Sequence, residues 1–325
     1  MTSRERVKST LNRQNPDRLP FNFWMDRGRM AEFDSLFGEN FRVNHYGADV
    51  IETFPLVPWF PELAAGFETI SDEVTTWIKA HPLSDGERLP LLSMPDMDNE
   101  DIYAIINSDR QTYPDKSLFA LIPHPMELLL GFFGFENFLI TLYDYEDEVL
   151  DILYRISEVQ VRLAENCIKC GVDVIYLAGD ICTTKCEIMS PDMLEKFCFK
   201  PAEPIIKRVH ELGLKVLFHT DGHVHNILPL FVKYQVDGIN PFQSNCNDKA
   251  FFHDNFADKL LLYGGIDNCF IIPDGTEDEI REHIRRNFSL LGQNAGYIAS
   301  SHDIAYKVTV DQIDAMVDEL KKCVY

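Results

Sequence analysis

Residues 216–226 read VLFHTDGHVHN, a short apolar run followed by three histidines and one aspartate around a single glycine. An imidazole nitrogen and a carboxylate oxygen two positions apart reach the same side of a strand end, where they can hold zinc or pass a proton to a departing atom. His219 and Asp221 are such a pair, and His302 or Asp180 would complete a nitrogen and oxygen donor set. The same side chains could equally bind substrate by hydrogen bonds without any metal. His223 and His225 follow Gly222, where a helix is expected to begin, and are read as cap or solvent residues.

Polar residues recur at the ends of other apolar runs. Trp24, Asp26 and Arg27 close FNFW, His124 follows LFALIP, and Asp180 ends VDVIYLAGD. Asn240 and Gln243 lie in DGINPFQ, Asp267 ends LLLYGGID, and His302 follows GYIAS. Turns need polar residues in any case, but the repetition of acids and histidines points to a shared site. The roles expected are catalysis for His219, Asp221 and Asp180, metal binding for His219, Asp221 and His302, and substrate binding for Trp24, Asp26, Arg27, His124, Asn240, Gln243 and Asp267. Cys167 and Cys170 lack the second pair that a four-thiolate zinc site requires, and Cys182 and Cys186 are read as ordinary loop thiols.

Those residues converge only if the runs that carry them are parallel strands opening on one face. From Val172 onward short apolar runs alternate with helical periodicity, as in βα units. KVLFH, DGINPFQ, LLLYGGID and GYIASSHDI follow VDVIYLAGD as strands. Ser190 and Pro191 open a helix toward Gly213 that Pro201 or Pro204 should kink, and HNILPLFVKYQ forms another. Thr276 with Glu279, and Thr309 with Gln312, form capping boxes for the last two helices. LPFNFW, ADVIETF and SLFALIPHP add three earlier strands, and VTTWIKAHPL is an excursion hairpin. The expected architecture is an α/β (β/α)₈ TIM barrel, a single domain over residues 1–325 with an N-terminal helix. No G-x-G-x-x-G follows a strand, which disfavours a dinucleotide-binding fold.

A chain of 325 residues that is 46% hydrophobic can bury a full core. Its formal charge of −22 opposes binding to nucleic acid or to anionic membrane surfaces. Eight scattered cysteines and a polar N-terminus favour a cytoplasmic protein with reduced thiols. Aromatics in PWFPEL and LLLGFFGF, with Trp24, could enclose an apolar substrate.

Five blocks in order carry a family resemblance over nearly the whole chain: ERVKSTLNRQNPDRLPFNFW, AGDICTTKCEIMSPDMLEKFCFKP, GLKVLFHTDGHVHNILPLFVKYQVDGINPFQ, LLYGGIDNCFIIPDGTEDEI and GYIASSHDI. They resemble the superfamily that joins uroporphyrinogen decarboxylase to the corrinoid-dependent methyltransferases. The resemblance implies a barrel, and within it the sequence looks most like the methyltransferases. WMDRGRM sets Asp26 where an arginine of the decarboxylases would align, and TFPLVPWF offers no acid where their tetrapyrrole-contacting aspartate is expected. In thiol-methylating members a His-x-Cys pair and a late cysteine hold zinc, and His219, Asp221 and His302 stand at the similar positions here. The activity so implied is methyl transfer, of O-demethylase type, from a small methoxylated or methylated donor to the cobalt of a corrinoid (methylcobamide) carried by a partner protein, with zinc as a candidate metal. A decarboxylase acting on a carboxylated substrate is the alternative, and a homodimer is open as the quaternary state.

Overall fold

The structure is a computed structural model that describes residues 1–72, 76–304 and 308–325. In chain order its strands are β1 Trp24–Met25, β2 Val50–Thr53, β3 Glu68–Ser71, β4 Thr76–Ala80, β5 Ser117–Pro123, β6 Val174–Ala178, β7 Lys215–Thr220, β8 Gly238–Pro241, β9 Leu261–Gly265, β10 Tyr297–Ser300 and β11 Asp303–Ile304. Seven of them form one parallel sheet in the order β10-β9-β8-β7-β6-β5-β2. Most of their residues are buried because both faces of the sheet are covered, and β5, β6 and β9 are almost unbroken apolar runs.

The sheet curls until its two edges meet one segment. On the β10 side, Asn22 N donates to Ala299 O at 2.9 Å and Ala299 N donates to Pro20 O at 2.9 Å. On the β2 side, Asp49 N donates to Phe21 O at 2.8 Å. The expected first strand, LPFNFW, is therefore mostly irregular backbone and is a regular strand only in β1, which pairs with β11.

Two apolar clusters follow from the curl. Inward-facing Val50, Phe119, Val174, Leu217 and Ile298 pack with Val7 and Leu11, so the helix Ser3–Leu11 plugs the N-terminal end of the sheet. The outer helices cover the other face. Asp49, fully buried, ties this end together: it accepts from Arg6 Nη1 at 2.7 Å, Arg18 Nη1 at 2.8 Å, Arg18 Nη2 at 3.0 Å and Phe21 N at 3.0 Å.

Both expected capping boxes form, at Thr276 with Glu279 and at Thr309 with Gln312. The helix opened by Ser190 runs as Pro191–Leu194, widens to a π-turn over Glu195–Phe199, and continues over Lys200–Glu211. Pro201 lacks the N–H that an unbroken ladder needs, and the wider turn before it absorbs the loss. The helix expected over residues 225–235 is shorter, Leu228–Lys233, because Pro229 suits only a first turn. The excursion hairpin pairs β3 with β4 antiparallel; Val74 and Thr75, where it was expected to begin, lie outside the described residues. Among the described residues no single helix is long and apolar enough to cross a membrane.

Candidate active site

A cavity of about 210 Å³ opens at the C-terminal ends of the strands, with Trp24, Glu52, Tyr176, His219, His302 and Asp303 among its walls. A larger one, about 620 Å³, lies at the opposite end between the N-terminal helix and the turns before β5, β6 and β7. There Asp173 is held by Arg4 and Arg110, an arrangement that fastens the N-terminal end of the sheet rather than gathering reactive groups.

Strand register builds the site. β7 places His219 beside Ala178 of β6 and beside Asn240 of β8. Asn240 Nδ2 donates to Tyr263 O at 2.7 Å, which turns its Oδ1 toward His219 Nδ1 at 2.8 Å. A carbonyl oxygen only accepts, so the neutral imidazole carries its proton on Nδ1 and presents a bare Nε2. Tyr176 Oη shares this cluster, 3.0 Å from His219 Nδ1 and hydrogen-bonded to Asn240 Oδ1. Burial pushes the Tyr176 phenol well above its ordinary range, so it stays protonated as a donor.

Asp221 follows two residues later on a turn that only glycine can complete. Gly222 has φ +93°, and a Cβ there would lie 2.4 Å from Thr183 O. Asp221 N donates to Asp180 Oδ1 at 2.9 Å, and Asp180 Oδ1 lies 3.8 Å from His219 Nε2. His302 Nε2 is 3.6 Å from Asp221 Oδ2, and the two imidazole rings stand 5.6 Å apart, nearly parallel. Desolvation raises the Asp221 carboxyl, opposed by His302 and His219, and its Oδ1 is buried without a hydrogen-bond partner.

The donor atoms of His219, Asp221 and His302 all lie within 4.8 Å of one another. Zinc bonds of about 2.0–2.2 Å place tetrahedral ligands roughly 3.4 Å apart, so a modest closing suffices. Two imidazoles, one carboxylate with an orphaned oxygen, and an open fourth position fit a catalytic divalent metal. Asn240, accepting from the opposite ring nitrogen, is the outer partner such a histidine needs.

The profile of the family described as Uroporphyrinogen decarboxylase (URO-D) matches residues 43–323. The chain belongs to the uroporphyrinogen decarboxylase family. Among solved structures it is similar to a methyltransferase from Methanosarcina mazei, with 15% identity, TM-score 0.76 and 99% of each chain covered. It is also similar to a B12-independent methionine synthase from a Shewanella species, with 10% identity, TM-score 0.55, and 90% of this chain and 84% of that one covered. No curated protein matches.

In this family member the cavity brings together Trp24, His219, Asn240 and His302, with Asp180 and Asp221 alongside. Asn240, expected to contact substrate, instead commits its amide to His219 and Tyr263. The other expected substrate-binding residues stand outside the walls. His124 is fully buried, caps the helix Pro125–Phe133 through Nδ1 and meets Cys198, and desolvation lowers it to about 3. Asp26 caps the helix Arg27–Phe37, and Arg27 reaches Asp72 O. Gln243 Oε1 accepts from Gly222 N, and Asp267 caps the turn at Cys269 and Phe270. His223 and His225 precede their helix instead of capping it; His225 accepts from Asp248 N and stacks on Phe251. Among the described residues, Trp24 is the one first-half aromatic that reaches the cavity; Phe60 and Phe132 pack on each other in the core.

Three residues escaped the sequence reading. Glu52 stands at the end of β2, immediately before the segment judged to lack an acid; its Oε1 accepts from Tyr263 Oη and Asn22 Nδ2. Tyr176 looks like any aromatic in a buried strand. Glu127, on the first turn of its helix, accepts from Asp180 N at 3.2 Å, and burial, with Asp180 adding to it, pushes its carboxyl up to about 7.

Because the folded pKa of Glu127 exceeds the unfolded one, its contribution to stability is complete below about pH 4.5 and is lost as pH rises through about 7. Glu127→Gln is expected to match the parent near pH 4.5 and to be more stable at pH 8, by on the order of 1–2 kcal/mol after allowing for solvent screening. Thermal melts across that range measure the difference.

Proposed function

We propose that the chain is a cytoplasmic methyltransferase, a single closed (β/α)₈ barrel whose eighth position is filled by the segment around Pro20–Met25. It takes a methyl group from a small methoxylated or methylated donor and delivers it to the cobalt of a corrinoid carried by a partner protein. The observation that carries this reading is the convergence of His219 Nε2, Asp221 and His302 on one small cavity at the strand ends. The family membership agrees with it, and the fold shared with the Methanosarcina mazei methyltransferase is compatible.

His219, Asp221 and His302 would hold a divalent metal such as zinc, which supplies a Lewis acid at the donor's leaving atom when bound. Asn240 keeps His219 Nε2 free of its proton, and Tyr176 locks that arrangement. Trp24 and the strand-end walls orient the donor and limit water. The methyl carbon leaves with its bonding pair remaining on the departing atom, and the electron pair of reduced cobalt makes the new bond. In a metal-free site Asp221 would instead serve as the acid that protonates the departing oxygen of a methoxy donor.

Uroporphyrinogen is an unsuitable alternative substrate. A cavity of about 210 Å³ is small for a tetrapyrrole, and Glu52 and Asp303 would repel its carboxylates. Incubation with a panel of methoxyaromatics and methylamines and a reduced corrinoid protein is expected to yield methylcobalt absorbance. Carbon dioxide release from uroporphyrinogen, with no methyl transfer from any donor, would reverse the assignment.

A further inference from the structure

We infer that the cavity takes its methyl donor as a cation, a small methylated ammonium, in preference to a neutral methoxyarene. This rests on the methyl-transfer reading above and narrows the donor class.

The charge of the walls points that way. Glu52 and Asp303 line the cavity, and Asp221 and Asp180 adjoin it through His302 and His219. Among the described residues no lysine or arginine lines it. Among the described residues a guanidinium adjoining the wall is Arg42, which stacks 3.7 Å over the Trp24 ring and donates to Asn22 Oδ1 and Phe23 O. Four carboxylates against that one guanidinium leave the region net negative, and a divalent ion at the histidines leaves it so.

Shape and wall chemistry agree. About 210 Å³ suits a ligand of a few heavy atoms. Trp24 and Tyr176 provide aromatic surface, and aromatic rings beside carboxylates are the pairing that holds methylated ammonium groups.

The reaction balances without a proton for a quaternary donor. The carbon–nitrogen bond breaks with its pair kept by nitrogen, leaving a neutral tertiary amine, and the methyl carbon bonds to the electron pair of the reduced corrinoid.

Choline and 3,3-dimethylbutan-1-ol, which differ only in a charged nitrogen against a carbon, are the probes for isothermal titration. Choline is expected to bind at least about tenfold more tightly, with most of the difference lost in Glu52→Gln. Glutamine keeps an acceptor for Tyr263 Oη, and an unchanged melting temperature verifies its fold. Asp303→Asn, at the exposed rim, provides a second variant expected to reduce the preference. Equal or absent binding of the two probes, or a preference that neither variant reduces, overturns the inference. Methyl transfer from methoxybenzene without a preference for choline would sink the cation and leave the methyltransferase reading intact. A charge-dependent preference with no methyl transfer from any donor would support the cation site and sink the reading on which its donor role rests.

Discussion

His219→Ala is expected to lower methyl transfer roughly 10³-fold while shifting the melting temperature by only a few degrees. The side chain is partly exposed at the cavity wall and leaves no large void in the core. Its loss removes the Nε2 that faces Asp180, together with the partner of Asn240 Oδ1. Metal analysis separates two roles: a stoichiometric divalent ion in the parent and none in the variant marks ligation, whereas unchanged content marks an acid-base or binding group. Asn240→Leu is the companion test. Without its acceptor the ring can move its proton to either nitrogen, and activity or metal affinity should fall about 10- to 100-fold. Full activity in both variants would remove His219 from the chemistry.

Asp49→Ala is the substitution with the largest expected effect on stability. Asp49 is wholly buried and satisfies Arg6, Arg18 and the Phe21 N–H at once, linking the N-terminal helix, the closing segment and β2. Its removal takes the buried partner from Arg6 Nη1, whose guanidinium keeps Asp17 and the Met1 carbonyl, and leaves Arg18 and the Phe21 N–H without this acceptor. Breaking a buried pair in this way costs about 3–5 kcal/mol, a large fraction of the stability of an ordinary domain. Urea titration of the purified variant measures it, and a loss under about 1 kcal/mol would show that the floor network is dispensable.

Much of the framework was legible because most central strands begin as apolar runs and the last two helices announce their starts. Thr276 with Glu279 and Thr309 with Gln312 are local signals, and the structure forms both. The first strand was harder: Pro20–Asn22 exchanges two backbone hydrogen bonds with Ala299 and accepts one from Asp49 N instead of forming a regular ladder, and nothing local to LPFNFW distinguishes the two cases. At the site, His219, Asp221 and His302 were visible by residue type, and their meeting depends on strand register. The role of Asn240 was not visible, because it depends on which way its amide turns, and Tyr263 O of the next strand decides that. His124, Gln243 and Asp267 have suitable chemistry, but their hydrogen bonds are consumed by caps and turns. Glu52 went unnoticed because the search for an acid began one residue too late in the chain.

The helical stopper made by Val7 and Leu11 has a kinetic corollary. With the far end shut, the small molecule, its product and the incoming corrinoid of the proposed reaction would share one doorway. Under that reading the donor would enter before the corrinoid protein docks, and the demethylated molecule would depart only after that protein lifts away. Initial-rate patterns should then follow a compulsory order, with the small molecule first on and last off.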